Sequence, residues 1–281
     1  FAAFTLLRKT VGRVKLQDYF RPYAELAVNN SAGFILESPT WRANPDWARQ
    51  LGYSTTALDE ANKEAITAMR ELAAEYQTDR SPFLVSGCIG PRGDGYQVQN
   101  AMGIADARRY HSQQIRVFAD AGADMVTALT MTTVEEAAGV AQAAADAAIP
   151  SVISFTVETD GRLPSGADLG EAIQAVDHET GSAPAYYMIN CAHPTHFADV
   201  LAEGGDWVKR ICGIRANASA LSHAELDAAE ELDAGDMHDL ARRYGNILQA
   251  MPWVRVVGGC CGTDHNHISA ICHTCSQEKA A

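Results

Sequence analysis

Cys260 and Cys261 are adjacent, follow Gly258 and Gly259, and precede Gly262 and Thr263. Neighbouring cysteines rarely reach the geometry of a disulfide. Two thiolates side by side on a rigid turn do suit a soft metal such as zinc, and the glycines let the backbone turn sharply and approach a ligand closely. A third cysteine, Cys191, ends the strand-like run 185–190, and Pro194 and Thr195 open a helix-like segment behind it. Three cysteines with a fourth position open form the donor set of a catalytic zinc, because a structural zinc takes four protein ligands. The alternative is three buried thiols that happen to end strands, since free cysteine is among the most buried residue types.

These cysteines need elements to hold them. A β-branched run at 254–257 reads as a buried strand, and Thr263 as the N-cap of a closing helix over 263–276. Upstream, apolar runs predict strands over 33–37, 82–88, 123–130, 151–157, 185–190 and 211–214. Helical spacing predicts helices over 17–30, 58–77, 104–121, 169–178, 194–202 and 237–251. Thr133 with Glu136 predicts a capping box for an Ala-rich helix running to 148. The stretches 38–46 and 219–235 read as loops, the second of them polar and acidic. Strands alternating with helices imply a parallel sheet with right-handed crossovers.

The sequence Gly-Gly-Cys-Cys-Gly-Thr at 258–263, with Ile-Asn-Cys at 189–191 upstream, resembles the homocysteine S-methyltransferase family. The resemblance runs from about Gly33 to His267. It implies a first strand carrying an Asp-Gly-Gly motif, and no such motif stands before Asp18. The chain is therefore expected to lack that strand, and its seven strand–helix units to be seven of the eight in a (β/α)8 TIM barrel of the α/β class. A single domain over 1–281 is expected. An open doubly wound sheet is the alternative fold, but a closed barrel better explains ligand candidates at the ends of two different strands.

Composition narrows the rest. The chain has 281 residues, 47% of them hydrophobic, enough for one large core. A net charge of −13 argues against nucleic acid and anionic membrane surfaces as partners. No apolar run approaches the roughly 18 residues of a transmembrane helix. Seven cysteines, with a pair of metal type and no signal peptide, point to a reducing cytoplasm.

The resemblance implies an enzyme that moves a methyl group from a sulfonium or ammonium donor (S-methylmethionine, S-adenosylmethionine or betaine) to homocysteine, giving methionine. It implies Zn2+ on Cys191, Cys260 and Cys261, and small-molecule substrates as partners. Zinc lowers the pKa of a coordinated thiol, and the thiolate is the nucleophile. Glu158, at the end of the 151–157 strand, matches a family glutamate that binds the amino group; the alternative is a solvated loop carboxylate. Trp41 matches a family aromatic after the second strand and is expected to face a cationic donor, or to be a packing tryptophan. Trp47 and Tyr53 have weaker claims on the same loop. Asn190 and Asn217 stand at family-like positions, hydrogen-bonding substrate or the zinc cysteines, or only local backbone. Glu37 departs from the family's small polar residue, either favouring a cationic donor or pairing with Arg42.

Other candidates are weaker. Gly90 to Gly95 is glycine-rich but lacks the pattern of a phosphate cradle. Cys272 and Cys275 have finger-like spacing with no second pair, and His193, His265 and His267 could add a stray ligand. The acidic run 225–239 reads as a solvated face. Two further readings are a methyltransferase for another thiol or selenol, and a zinc-binding barrel without catalysis, which the absent Asp-Gly-Gly favours.

Overall fold

The computed structural model describes residues 2–98 and 101–278. Among these, seven strands follow in chain order: β1 Phe34–Glu37, β2 Phe83–Ile89, β3 Met125–Met131, β4 Ser151–Phe155, β5 Tyr186–Asn190, β6 Ile211–Ala216 and β7 Val256–Gly259. Each pairs in parallel with the next, so the order in the sheet is the order in the chain. A doubly wound sheet reverses its order at a switch point. This sheet does not; it curls as a (β/α)8-type barrel does, with no pairing of β7 to β1 among the described residues.

The helices are α1 Thr10–Asn29, α2 Pro45–Gln50, α3 Thr55–Tyr76, α4 Ile104–Asp120, α5 Val134–Asp146, α6 Leu169–Thr180, α7 Pro194–Glu203, α8 His223–Ala228, α9 Met237–Ala250 and α10 His265–Glu278. Alternation along the strands sorts the core into two shells. Leu36, Val85, Val126, Ile153, Phe155, Ile189 and Ile214 point outward into the main hydrophobic cluster, where the helices cover them. Met125, Val152 and Met188 form a small inner cluster, flanked by Ile35, Tyr186 and Val256. Because both faces are covered, β3 and β4 are buried at every position, which is why they read as continuous apolar runs.

Several elements differ from expectation. α1 begins at Thr10 rather than at 17; Val11 and Val14 in its first turns face solvent, so the apolar spacing that marks the rest of the helix is weak there. The 38–46 loop runs into α2, whose N-cap is Asn44. The loop expected over 219–235 contains α8, opened by a capping box between Ser222 and Glu225. Thr133 caps α5, but Glu136 does not return to it. The Glu136 carboxylate instead accepts from the Arg92 amide at 2.7 Å and meets His111 at 2.8 Å. β7 starts at Val256 and runs through both glycines, so it leads directly into the cysteines. Thr263 is not the cap of α10; its hydroxyl donates to the Cys260 carbonyl. Asp264 takes that role, accepting from the Asn266 and His267 amides. The acidic run is not simply solvated: Asp233 accepts from Ser219, Asp236 caps α9, and Asp239 pairs with Arg242 and Arg243.

α4 and α5 cross at Gly139, where an added Cβ would lie 2.5 Å from the Ala107 Cβ and 2.7 Å from the Arg108 nitrogen. Backbone at that distance cannot move aside like a side-chain tip. Gly139→Val is therefore expected to cost about 1–3 kcal/mol or more of stability by overpacking. Urea denaturation checks it, with the midpoint falling at unchanged slope.

Candidate metal centre

Parallel strands end on one rim, so residues that follow β5 and β7 become neighbours although about seventy positions separate them. The Cys191 Sγ lies 2.7 Å from the Cys260 Sγ and 3.6 Å from the Cys261 Sγ, and all three sulfurs fall within 4.8 Å of one another. Cys191 is buried, Cys260 half-buried and Cys261 exposed, so the cluster opens to the mouth on one side.

The turns holding them are unusual. Cys191 has a φ of 56°, in the left-handed region. For a residue with a Cβ this costs on the order of 1–3 kcal/mol. The Cys191 carbonyl accepts from the His223 Nε2 at 2.7 Å and the Asn217 Nδ2 at 3.0 Å, and its amide donates to the Arg215 carbonyl. The Asn217 Oδ1 accepts the Cys261 amide at 3.1 Å, so one side-chain amide links both cysteine turns. The second turn needs Gly262, whose φ is 79° and whose added Cβ would stand 2.6 Å from the Asp233 carbonyl oxygen.

Three thiols this close cannot all behave as free thiols. Hydrogen bonds from Cys191 and then Cys260 hold Cys261 far below the usual thiol range. Hydrogen bonds with Cys260 and Cys261, together with burial, push Cys191 well above it. A tetrahedral zinc with bonds of about 2.3 Å keeps its sulfurs about 3.8 Å apart. Cys191 and Cys261 have close to that spacing at 3.6 Å, and Cys260, at 2.7 Å, stands about 1 Å nearer Cys191 than that. A soft, partly ionised, all-sulfur donor set of this kind fits zinc.

Three further side chains lead away from the cluster in a row. The Tyr96 hydroxyl, on the loop after β2, is 3.4 Å from both the Cys191 and the Cys261 sulfurs. Its ring lies against the His223 imidazole, centroids 4.3 Å apart. The His223 Nδ1 is 3.2 Å from the Glu158 Oε1.

A model of homocysteine S-methyltransferases matches residues 6–275. The chain belongs to the homocysteine S-methyltransferase family. It is 23% identical over 258 residues to homocysteine S-methyltransferase 4 of Zea mays, covering 84% of this chain and 74% of the maize protein. The fold matches crystal structures of the homocysteine methyltransferase MmuM from Escherichia coli. The metallated form gives a TM-score of 0.70 at 16% identity, over 94% of this chain and 88% of that one. The apo form gives 0.64 at 16% identity, over 90% and 84%. The chain is therefore a methyltransferase of a family whose reaction is methyl transfer to homocysteine.

Against that family frame the expected residues divide. The three cysteines converge as their spacing predicts. Asn217 bridges them. Asn190, the residue before Cys191, turns away: its Oδ1 accepts from the Thr130 amide at 2.8 Å and the Ser154 hydroxyl at 2.6 Å, and its Nδ2 donates to the Thr130 hydroxyl. It fills the register shift in β3, where Thr130 has a φ of 65°. Glu158 stands at the rim beside His223. The Trp41 ring lies against Gly90 and Gly95 and donates to the Leu129 carbonyl. The cation on it is the chain's own Arg42, 5.1 Å from the Trp41 centroid and 4.3 Å from that of Trp47. Tyr53 packs on Phe4, under Arg8. Glu37 does not pair with Arg42; the cation it faces is Arg215, and burial lifts its carboxyl above the usual range.

The candidate extra ligands point elsewhere. His193 caps α7, and burial depresses its pKa to about 4. His267 bridges Asp264 and the Ala234 carbonyl, and His265 sits edge-on to Tyr23. Cys272 and Cys275 stay on α10, outside the cluster. Sequence reasoning missed Tyr96 and His223. The Ser222–Glu225 spacing of a capping box was a signal for His223; a lone aromatic after a glycine-rich strand end was a weaker one for Tyr96.

The two asparagines are expected to separate by measurement. Asn217→Ala should lower zinc affinity about 10–100-fold, as loss of a residue that orients metal ligands does, read by competition with a chromophoric chelator. Asn190→Ala leaves the buried Thr130 amide unpaired and should instead cost about 1–3 kcal/mol of folding stability, read by denaturant titration.

Proposed function

We propose that the protein is a zinc-dependent methyltransferase that uses the homocysteine thiol as acceptor and a sulfonium or ammonium compound as donor, giving methionine. The donor is S-methylmethionine, S-adenosylmethionine or betaine, and the compartment is the cytoplasm. The observation that carries this is the convergence of the Cys191, Cys260 and Cys261 sulfurs within 4.8 Å on the rim where Glu158 also stands.

The residues divide the work. Cys191, Cys260 and Cys261 would hold the metal, and Asn217 links their turns. Zinc held there would lower the pKa of an acceptor thiol, so that the nucleophilic thiolate forms at neutral pH. Glu158 accepts hydrogen bonds from the acceptor's ammonium, a charge-assisted contact. Tyr96 covers the sulfurs and must swing aside as the acceptor enters; afterwards its ring screens the site from water. The acceptor sulfur then attacks the donor methyl carbon in line, and the electrons of the breaking C–S or C–N bond leave with the donor. No protein nucleophile is needed; the rate comes from holding the two substrates at attack distance. With Arg42 already over Trp41, a donor cation either displaces it or uses the Tyr96 face instead.

The test is methionine formation from homocysteine with each donor in turn, with and without a zinc chelator. Chelator-sensitive methionine from one donor is the expected outcome. Zinc bound without methionine from any donor would overturn homocysteine as acceptor and point to another thiol or selenol. Glu158→Gln is expected to raise KM for homocysteine about 10–100-fold, the equivalent of one charge-assisted hydrogen bond.

A further inference from the structure

We propose that Arg42 binds the carboxylate of the methyl donor and so sets which way round the donor enters. The inference rests on the reading above, in which the donor is a sulfonium or ammonium compound. S-methylmethionine, S-adenosylmethionine and betaine share one group besides the methylated cation, and that group is a carboxylate.

Arg42 is a cation that the protein holds on aromatic rings and not on an acid. Its guanidinium carbon lies 4.3 Å from the ring centroid of Trp47 and 5.1 Å from that of Trp41. No ion pair joins it to a carboxylate among the described residues. The nearest acids in the chain are committed elsewhere. Asp46 pairs with Arg92 at 2.8 Å and with Arg49 at 3.1 Å, and Glu37 faces Arg215. A guanidinium over an aromatic face keeps its N–H donors in its own plane, where a carboxylate can take two of them at once. In a chain of net charge −13, an anionic group needs such a local cation to bind.

The residue stands where a donor must pass. Arg42 is on the loop after β1 and Tyr96 on the loop after β2, so both belong to the rim where the cysteines converge. Trp41 touches both: it carries Arg42, and an added Cβ on Gly95, the neighbour of Tyr96, would meet its ring at 3.1 Å. The Trp41 Nε1 donates to the Leu129 carbonyl at 3.2 Å, which fixes the ring. The backbone around Arg42 is tied as well. The Ala43 amide donates to the Thr40 carbonyl at 2.8 Å, the Ala43 carbonyl accepts from Asn62 at 3.2 Å, and the Asn44 side chain accepts the Trp47 amide at 3.1 Å. An anchor ordered in advance costs less to use on binding.

Like charges then sort the donor. A methylated cation is repelled by the guanidinium already over Trp41 and Trp47, while a carboxylate is drawn to it. The donor enters with its carboxylate at Arg42 and its methylated centre away from Arg42, toward the cysteines.

The test is calorimetric titration of the zinc-loaded protein with each of the three donors, with the methyl ester of each, and with homocysteine. Arg42→Met covers the rings without the charge. At least one donor is expected to bind the parent, and Arg42→Met to weaken it about 10–100-fold, as the loss of one charge-assisted pair does. Arg42→Lys keeps the charge but not the fork and falls between them. The ester binds the parent about as weakly as the donor binds Arg42→Met, and the variant weakens it no further. Homocysteine affinity stays at the parent value.

Unchanged donor affinity in Arg42→Met would overturn the proposal. So would an ester weakened as much as its donor, which marks lost packing, or a loss confined to homocysteine, which puts the acceptor's carboxylate there instead. A parent that binds none of the three donors refutes the donor class and Arg42 with it. A donor bound through Arg42 without methionine formed from homocysteine refutes the acceptor reading and supports Arg42.

Discussion

The Asn217 side chain joins the Cys191 carbonyl to the Cys261 amide, and the chemistry at the rim depends on that link. Three sulfurs can share one metal only if two separate turns keep their register to within a few tenths of an ångström. Turns that follow strands move with their loops unless something crosses between them. Asn217 follows β6, the strand between β5 and β7, so it sits where both cysteine turns are in reach. Its amide shares the Cys191 carbonyl with His223 and gives the Cys261 amide a side-chain acceptor. The left-handed conformation of Cys191 can persist because the surrounding bonds over-determine it.

Polar groups inside the barrel show the same economy. Asn190 fills a register shift in β3 with all three of its hydrogen bonds, and so serves the sheet and not the ligand. Glu37 and Arg215 face one another as opposite charges, and Arg215 also lies near Cys260. A buried guanidinium there offsets negative charge that gathers on the cysteines. Each partner keeps one buried atom unpaired, Oε2 of Glu37 and Nη1 of Arg215, so this interior pair gives up hydrogen bonds that a purely structural core would make.

The mouth is assembled from loops, but those loops are anchored. Arg92 ties the β2 loop to Asp46 through its side chain and to Glu136 through its amide, and Glu136 is backed by the buried His111. Tyr96, on that loop, reaches the sulfurs from a tethered base, and its ring lies against that of His223. On the loop after β1, Arg42 lies over the rings of Trp41 and Trp47, where a planar guanidinium stacks well.

The sequence by itself determined the parallel barrel-type sheet and the three metal-binding candidates. Their signals are local: apolar runs of strand length between helical stretches, and cysteines placed at the ends of those runs. Parallel topology does the rest, since it sends every strand end to one rim. What only the tertiary structure decided were the contacts that cross between units. His223 sits in a stretch too polar to predict a helix, and its two partners lie 32 and 65 positions away. Tyr96 reaches sulfurs 95 and 165 positions away. Asn190 and Asn217 are the same residue type next to or near the same turns, and nothing local distinguishes them. Alternation along β5 turns one toward the β3 bulge, and the turn after β6 aims the other at the cysteines. Side-chain direction at a strand end is set by register with neighbouring strands, and register is a property of the folded sheet.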